Sequence, residues 1–243
     1  MPALVRERLD AGIEVLRLDR PQARNALDSA LLAELERALA ELAADDDLRV
    51  LVVSTTDTQA LCAGADVAEQ LDAAGGVARM EAFARLYRAV DGLPCVSIAV
   101  CVGHCVGAGA EIVAACDLRV GADNLRLAWP GGRLGVPVGP ARLVPLVGLS
   151  VAKELIFTGR VVALPEAVSL GLVHRSASRD DAESVALQFA REVAAHPAEG
   201  QRRLKRLFAD LGDTAARGER EGSGLVQWQR HGAGLPYRRP DRT

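Results

Sequence analysis

Residues 95–117 read CVSIAVCVGHCVGAGAEIVAACD. Val96, Ile98, Val100 and Val102 stand among small residues with no charge, which is the pattern of a buried strand. Three glycines follow, Gly103, Gly107 and Gly109, and the chain then reads as a helix with one carboxylate, Glu111, in its first turn. The uncharged run is too short to cross a bilayer, which takes about 18 apolar residues, and it is broken by glycines, so it reads as protein core. An acid at a helix start, just after a glycine-rich bend and inside an apolar setting, is the feature from which a functional reading grows.

The flanking segments supply the architecture. Residues 13–18 are a strand, with Ala11-Gly12 before it and Asp19-Arg20-Pro21 after it. RPQARNAL, 20–27, is a loop running into a helix that Asp28 caps and whose Leu31, Leu35, Leu39 and Leu42 share a face. Asp45-Asp46-Asp47 ends it. RVLVVS, 49–54, has the continuous apolar character of a strand covered on both faces. LCAGADVAE, 61–69, is a small-residue loop leading to a helix, 81–90 is helical, and 118–121 is a further short strand.

Residues 129–140, WPGGRLGVPVGP, form a Gly/Pro-rich loop. Ser150 is expected to cap a helix through Phe157. Pro165 suits the first position, and Gly171 the C-terminal end, of a short helix. Asp180 and Glu183 resemble a capping box for a helix to about Ala195. Leu204, Leu207, Phe208 and Leu211 mark an amphipathic helix. From Gly212 onward glycine and arginine dominate, and this tail is expected to be loose or ordered only against a partner. Strands alternate with helices and then helices stand alone, which gives an α/β core, residues 1–195, and a helical C-terminal region, 196–243.

The 243 residues carry 49% hydrophobic and 25% charged side chains, as a soluble globular protein does, with only 3% aromatic, so the core must be aliphatic. A net charge of −3 makes no electrostatic case for nucleic acid or anionic membrane. MPALVRERLDAGIEV, 1–15, has no apolar h-region, so a secretory signal is not expected. Five cysteines do not suggest a disulfide framework, so a reducing cytoplasm is the expected compartment.

Several chemistries fail on spacing. Ile112 occupies the last position of a G-x-G-x-x-G pattern, and neither a Walker sequence nor G-x-S-x-G is present. Cys101, His104 and Cys105 lack the second pair that a zinc site needs and read as packed core groups, with no metal expected.

Ala63-Gly64-Ala65-Asp66 and Val106-Gly107-Ala108-Gly109 share a design: small residues at a bend before a helix. Small side chains let a ligand approach the main chain, and unpaired N–H groups at a helix start can hold an oxyanion. Two such turns face to face would form a two-donor oxyanion hole. They can equally be two ordinary strand-to-helix turns.

RPQARNAL, LCAGADVAE, GHCVGAGAEIVAACDLRV (103–120) and LIFTGRVVALPEAVSLGLV (155–173), in this order, resemble the enoyl-CoA hydratase/isomerase (crotonase) family over about residues 10–210. The resemblance implies a crotonase-like α/β spiral of β-β-α units with a helical C-terminal region that builds trimers or hexamers. It implies an acyl-CoA thioester as substrate, with no cofactor beyond the coenzyme A it carries. Main-chain N–H groups of Ala65 and Ala108 would hold the thioester oxygen. Ala63, Ala65, Asp66 and Val67 would line the path of the CoA arm, with Arg24 and Ala26 beside it. Trp129, Pro130, Gly131 and Leu134 would border the acyl group.

Glu111 matches one of the family's two glutamates. The second would follow Pro130, where this chain has Gly131, and the loop beyond is shorter than the family's. Hydration needs a base for water and an acid for the α-carbon. A lone Glu111 suits isomerisation or another single-carboxylate reaction as well as hydration. A binding protein without chemistry and a scaffold that keeps the fold for its oligomer are the alternatives. Arg133 is a replacement charge or, preferably, a solvated loop residue. Burial is expected to raise the pKa of Glu111.

Overall fold

The computed structural model describes residues 3–232 and 234–235. Strands β1 (Leu4–Arg8) and β2 (Ile13–Leu18) form an antiparallel hairpin, followed by helix α1 (Ser29–Ala43). The Asp28 side chain accepts from the Leu31 N–H at 2.8 Å, the cap that the sequence predicts. A three-part unit then repeats. It runs β3 (Val50–Thr55), β4 (Ala60–Cys62), α2 (Ala73–Asp91); β5 (Val96–Cys101), β6 (His104–Val106), α3 (Ala108–Ala115); and β7 (Leu118–Ala122), β8 (Arg126–Ala128), α4 (Gly131–Leu134), α5 (Pro140–Thr158).

The first strand of each unit joins one sheet, ordered β1-β2-β3-β5-β7-β9 with β9 at Arg175–Ala177, and the second joins a small parallel sheet, β4-β6-β8. This is the expected spiral of β-β-α units. The corner between the sheets needs glycine. Gly103 has φ +55°, and a Cβ there would lie 1.9 Å from the Gln59 carbonyl.

RVLVVS is covered on both faces as expected. Leu51 and Val53 face the helices α1 and α2, while Val50 and Val52 pack with Ala182, Ala186, Ala190 and Ala194 of α7 (Ala182–Ala194). An alanine every fourth residue lets this helix lie close on the sheet. The capping box does not form at its start. Asp181 is the N-cap without a side-chain cap bond, and Glu183 instead accepts from Arg17 and from Ser54 Oγ at 2.6 Å. A buried tertiary partner outcompetes the local one.

Helix α5 begins at Pro140 and kinks at Gly148, so the start expected at Ser150 is the second half of a longer helix. Helix α6 (Leu164–Ser169) has Pro165 in its first turn and Gly171, at φ +72°, just beyond its end.

The largest departure is the tail. After α8 (Ala198–Leu211), residues Thr214–His231 form helix α9 along α2. Its contact runs through small residues: a Cβ at Gly222 would sit 3.0 Å from that of Ala84, and Leu225 is buried beside them. A helix that docks through glycines shows no apolar stripe in sequence. The remainder of the tail, 236–243, lies outside the described residues.

Candidate active site

The two small-residue turns meet. A Cβ on Gly64 (φ +107°) would lie 3.0 Å from the Val106 carbonyl and 3.7 Å from the Ala108 nitrogen. A Cβ on Gly109 would collide with the Cys62 carbonyl at 2.1 Å, so only glycine lets α3 start against the end of β4. Neither the Ala65 nor the Ala108 N–H donates to a protein acceptor among the described residues.

The reason lies in the local pairing. Leu27 donates to the Gly64 carbonyl and accepts from the Asp66 N–H, each within 2.9 Å, which turns the intervening Ala65 N–H the other way. Ala108 opens α3, where the first N–H groups have no intrahelical partner. The fully buried Asn25 (φ +54°) fixes the RNAL segment in place. Its amide donates to Thr55 Oγ1, the Ala60 carbonyl and the Leu61 carbonyl at 2.8–3.1 Å.

Both turns open on a cavity of about 220 Å³. Ala63, Gly64, Ala65, Val67, Gly107, Ala108, Pro130, Gly131 and Leu134 line it, so most of the residues named from the sequence converge here. Its walls add Met80, Phe83 and Tyr87 of α2, Val106, Val136, Val138, and Leu225 and Leu235 from the C-terminal region. The volume is below the roughly 300–1,000 Å³ of pockets that hold whole ligands, so it suits an acyl end rather than an entire thioester.

Gly131 has no room for a larger residue: a Cβ there would fall 2.8 Å from the Val136 carbonyl, because the short loop folds back over it. Arg133 is exposed, and its Nε donates to the Thr158 carbonyl at 2.5 Å, so it brings no charge to the cavity.

Glu111 is fully buried and stands behind the cavity wall rather than on it. Trp129, expected on the acyl pocket, is also behind that wall. Its Nε1–H donates to Glu111 Oε1 at 2.8 Å, while Arg142 Nη1 donates to Oε2 at 3.1 Å. Arg142, itself buried, also pairs with Asp91 and Glu221, both at 2.9 Å. Glu221 in turn accepts from the Gly139 and Ala141 N–H groups at the start of α5.

One guanidinium thus serves three carboxyl groups, Glu111 fully buried and Asp91 and Glu221 largely so. Burial, and next the charge of Glu221, push the Glu111 carboxyl up to about 8, against the opposing pull of Arg142. Burial also raises Asp91 and Glu221, while Arg142 is held charged by its three partners. The expected raised pKa of Glu111 is therefore present, with a like-charged neighbour as a second cause.

Among the residues expected on the CoA path, the Arg24 carbonyl accepts from the Ala63 N–H, and Arg24 itself is exposed in the left-handed region (φ +50°). The Ala26 carbonyl accepts from Arg20, which also holds Asp66 at 3.0 Å. Arg142, Glu221 and Tyr87 escape a sequence reading. Arg142 falls at the edge of the Gly/Pro-rich loop, although a lone arginine opening an apolar run was its available signal. Glu221 lies in the segment expected to be loose.

A family model described as enoyl-CoA hydratase/isomerase matches residues 8–221. The chain belongs to the enoyl-CoA hydratase/isomerase family. Enoyl-CoA hydratase domain-containing protein 2, mitochondrial, of Homo sapiens is 36% identical over 190 residues, covering 76% of this chain and 65% of that protein. The match to this curated relative thus spans slightly less than two thirds of its length.

The crystal structure of enoyl-CoA hydratase from Bacillus anthracis has a TM-score of 0.82 at 26% identity, covering 93% of this chain and 92% of that one. That of enoyl-CoA hydratase from Mycobacterium smegmatis has a TM-score of 0.81 at 29% identity, covering 93% and 90%. The crotonase fold is common to them and to this family member. Among its described residues no helix is long and apolar enough to cross a membrane, and no cluster of three or more metal-ligating side chains occurs.

Proposed function

We propose that this family member processes acyl-CoA thioesters by stabilising an enolate at the main-chain N–H groups of Ala65 and Ala108. The observation that carries this is the pair of unpartnered donors on two abutting turns at an apolar cavity. Removing a proton next to a thioester carbonyl puts negative charge on its oxygen. Donors fixed in advance stabilise that charge, each by about 3–4 kcal/mol in comparable sites.

Glu111 is the proton carrier. Its carboxylate takes the proton from the carbon next to the thioester carbonyl, leaving the enolate, and then returns that proton to the substrate at another carbon; a carboxyl pushed up to about 8 holds a proton tightly enough for both steps near neutral pH. Once ionised, it returns to the donors on Trp129 and Arg142. The role requires the side chain to turn from these donors toward the cavity. With Gly131 in place of a second glutamate, isomerisation or another single-carboxylate reaction competes with hydration. Residues Ala63, Ala65, Asp66 and Val67, with Arg24 and Ala26, carry the CoA arm, and no further cofactor takes part.

Leu204, Leu207, Phe208 and Leu211 of α8 are all more than half exposed, a face suited to a homo-oligomer, trimer or hexamer. The five cysteines are all unpaired and buried, which suits a reducing compartment such as the cytoplasm.

A second reading, an acyl-CoA-binding protein without chemistry, is favoured by one observation: both Glu111 oxygens are engaged and the carboxyl is off the cavity wall. Titration calorimetry with crotonyl-CoA, followed by product identification over a panel of acyl-CoA substrates, separates the two. Binding with turnover that Glu111→Gln abolishes supports the enzyme. Binding without turnover supports the second reading, and no binding of any acyl-CoA defeats both.

A further inference from the structure

Tyr87 has no part in the reaction as drawn above, yet it lies on the cavity. Its neighbours on the wall include Met80, Phe83, Val106, Leu134, Val136 and Leu225, all apolar. Among the described lining residues, the Tyr87 phenol is the one side chain with a hydrogen-bonding group. The residue is 4% exposed. Its hydroxyl takes part in no hydrogen bond with the described protein, and it is absent from the atoms that are both unpaired and sealed off, a set that includes Arg142 Nε.

A buried tyrosine hydroxyl ordinarily finds a partner, because a polar group stranded away from water is costly. The ring is also fixed in place. It stacks on Phe83 at a centroid distance of 6.0 Å, and the Arg142 guanidinium lies 4.8 Å above it. A pinned tyrosine on an otherwise apolar cavity wall, its hydroxyl without a partner among the described residues, is a recognition element for a ligand atom.

We propose that Tyr87 is a specificity-determining residue, whose hydroxyl hydrogen-bonds an oxygen borne by the acyl chain beyond the thioester, a hydroxyl or a keto group. The inference rests on the acyl-CoA reading of the same cavity. The chemistry of the partner follows from the setting. Burial and the nearby Glu111 charge keep the phenol protonated, so it offers one donor and one acceptor to a neutral group. An acyl chain that is hydrocarbon throughout leaves that hydroxyl unpaired and dry, and sites built to bond a substrate oxygen discriminate against analogues that lack it.

The test is calorimetric binding of butyryl-CoA, 3-hydroxybutyryl-CoA, acetoacetyl-CoA and 4-hydroxybutyryl-CoA to the unmodified chain and to Tyr87→Phe. Phenylalanine keeps the ring against Phe83 and Arg142. The expected result is that the unmodified chain binds at least one oxygenated ligand about tenfold more tightly than butyryl-CoA, the worth of one neutral hydrogen bond. Tyr87→Phe then loses this preference, with butyryl-CoA bound at least as tightly as by the unmodified chain because no hydroxyl is left dry. Equal binding of all four ligands overturns the inference and leaves the acyl-CoA reading standing, as does a preference that survives in Tyr87→Phe. Failure of the unmodified chain to bind any of the four overturns both.

Discussion

Replacing Arg142 by methionine strands three carboxyl groups around one site, one of them fully buried and two largely so. The guanidinium, 5% exposed in its side chain, lies 2.9 Å from Asp91, 3.1 Å from Glu111 and 2.9 Å from Glu221. Each close pair is worth about 4 kcal/mol at an effective dielectric constant near 20. Much of that sum is offset by the desolvation of the ions, and deleting one member of a buried ion pair costs about 3–5 kcal/mol net.

The loss must depend on pH. Asp91, Glu111 and Glu221 already hold protons more tightly than their ordinary values, and removing the cation raises them further. A carboxyl raised in the folded state destabilises as pH climbs from its unfolded value through its folded one, because only the folded chain still binds the proton. Urea unfolding followed by circular dichroism should therefore show Arg142→Met losing more at about pH 8 than at about pH 5. In the double variant with Glu111→Gln, part of the loss should return, with a coupling of about 1 kcal/mol or more. A loss below about 1 kcal/mol at both pH values, or an equal loss at both, would refute the reasoning.

Ala108→Pro removes an N–H at a first helical position that tolerates proline, so the melting temperature should hold while acyl-CoA turnover falls about 10²–10³-fold; retained turnover removes Ala108 from the oxyanion hole. Gly109→Ala places a Cβ against the Cys62 carbonyl and should cost about 1–3 kcal/mol by urea denaturation, whereas an unchanged midpoint would mean the two turns do not abut. Trp129→Phe deletes a bond that favours the charged carboxylate, so NMR of isotope-labelled glutamate should show Glu111 titrating higher than in the unmodified chain; a downward move contradicts the assigned contact. Phe208→Asp should shift the protein to a smaller species in light scattering without altering its melt if α8 carries the oligomer contact.

Much of the fold can be read in the sequence because its signals are local. RVLVVS declares a doubly covered strand, Asp28 a cap, and Gly171 a helix end, each through chemistry contained within a few residues. The three-residue strands β4, β6 and β8 are too short to show a period, and they exist because each unit must turn a corner into the second sheet. The oxyanion-hole candidates are legible for the same local reason, since small residues before a helix start carry their own meaning. The cluster behind them is not. Asp91, Glu111, Arg142 and Glu221 come from four helices or helix ends far apart in the chain, and Glu221 sits in a helix that docks through glycines. Tyr87 looks like any core aromatic until the cavity shows that, among the described lining residues, it is the one whose side chain carries a hydrogen-bonding group.

Helix α9 has a consequence for how the molecule is made. Glu221 caps the start of α5 and supplies the third carboxyl around Arg142, and it is synthesised after both α2 and α5. Until then Arg142 can pair with only Asp91 and Glu111, and the first N–H groups of α5 have no acceptor from this helix. Leu225, on the same helix, closes one side of the cavity. The cavity is therefore enclosed only once α9 has followed α2 and α5 out of synthesis, so a chain cut short before α9 keeps both small-residue turns and still lacks one side of its enclosure.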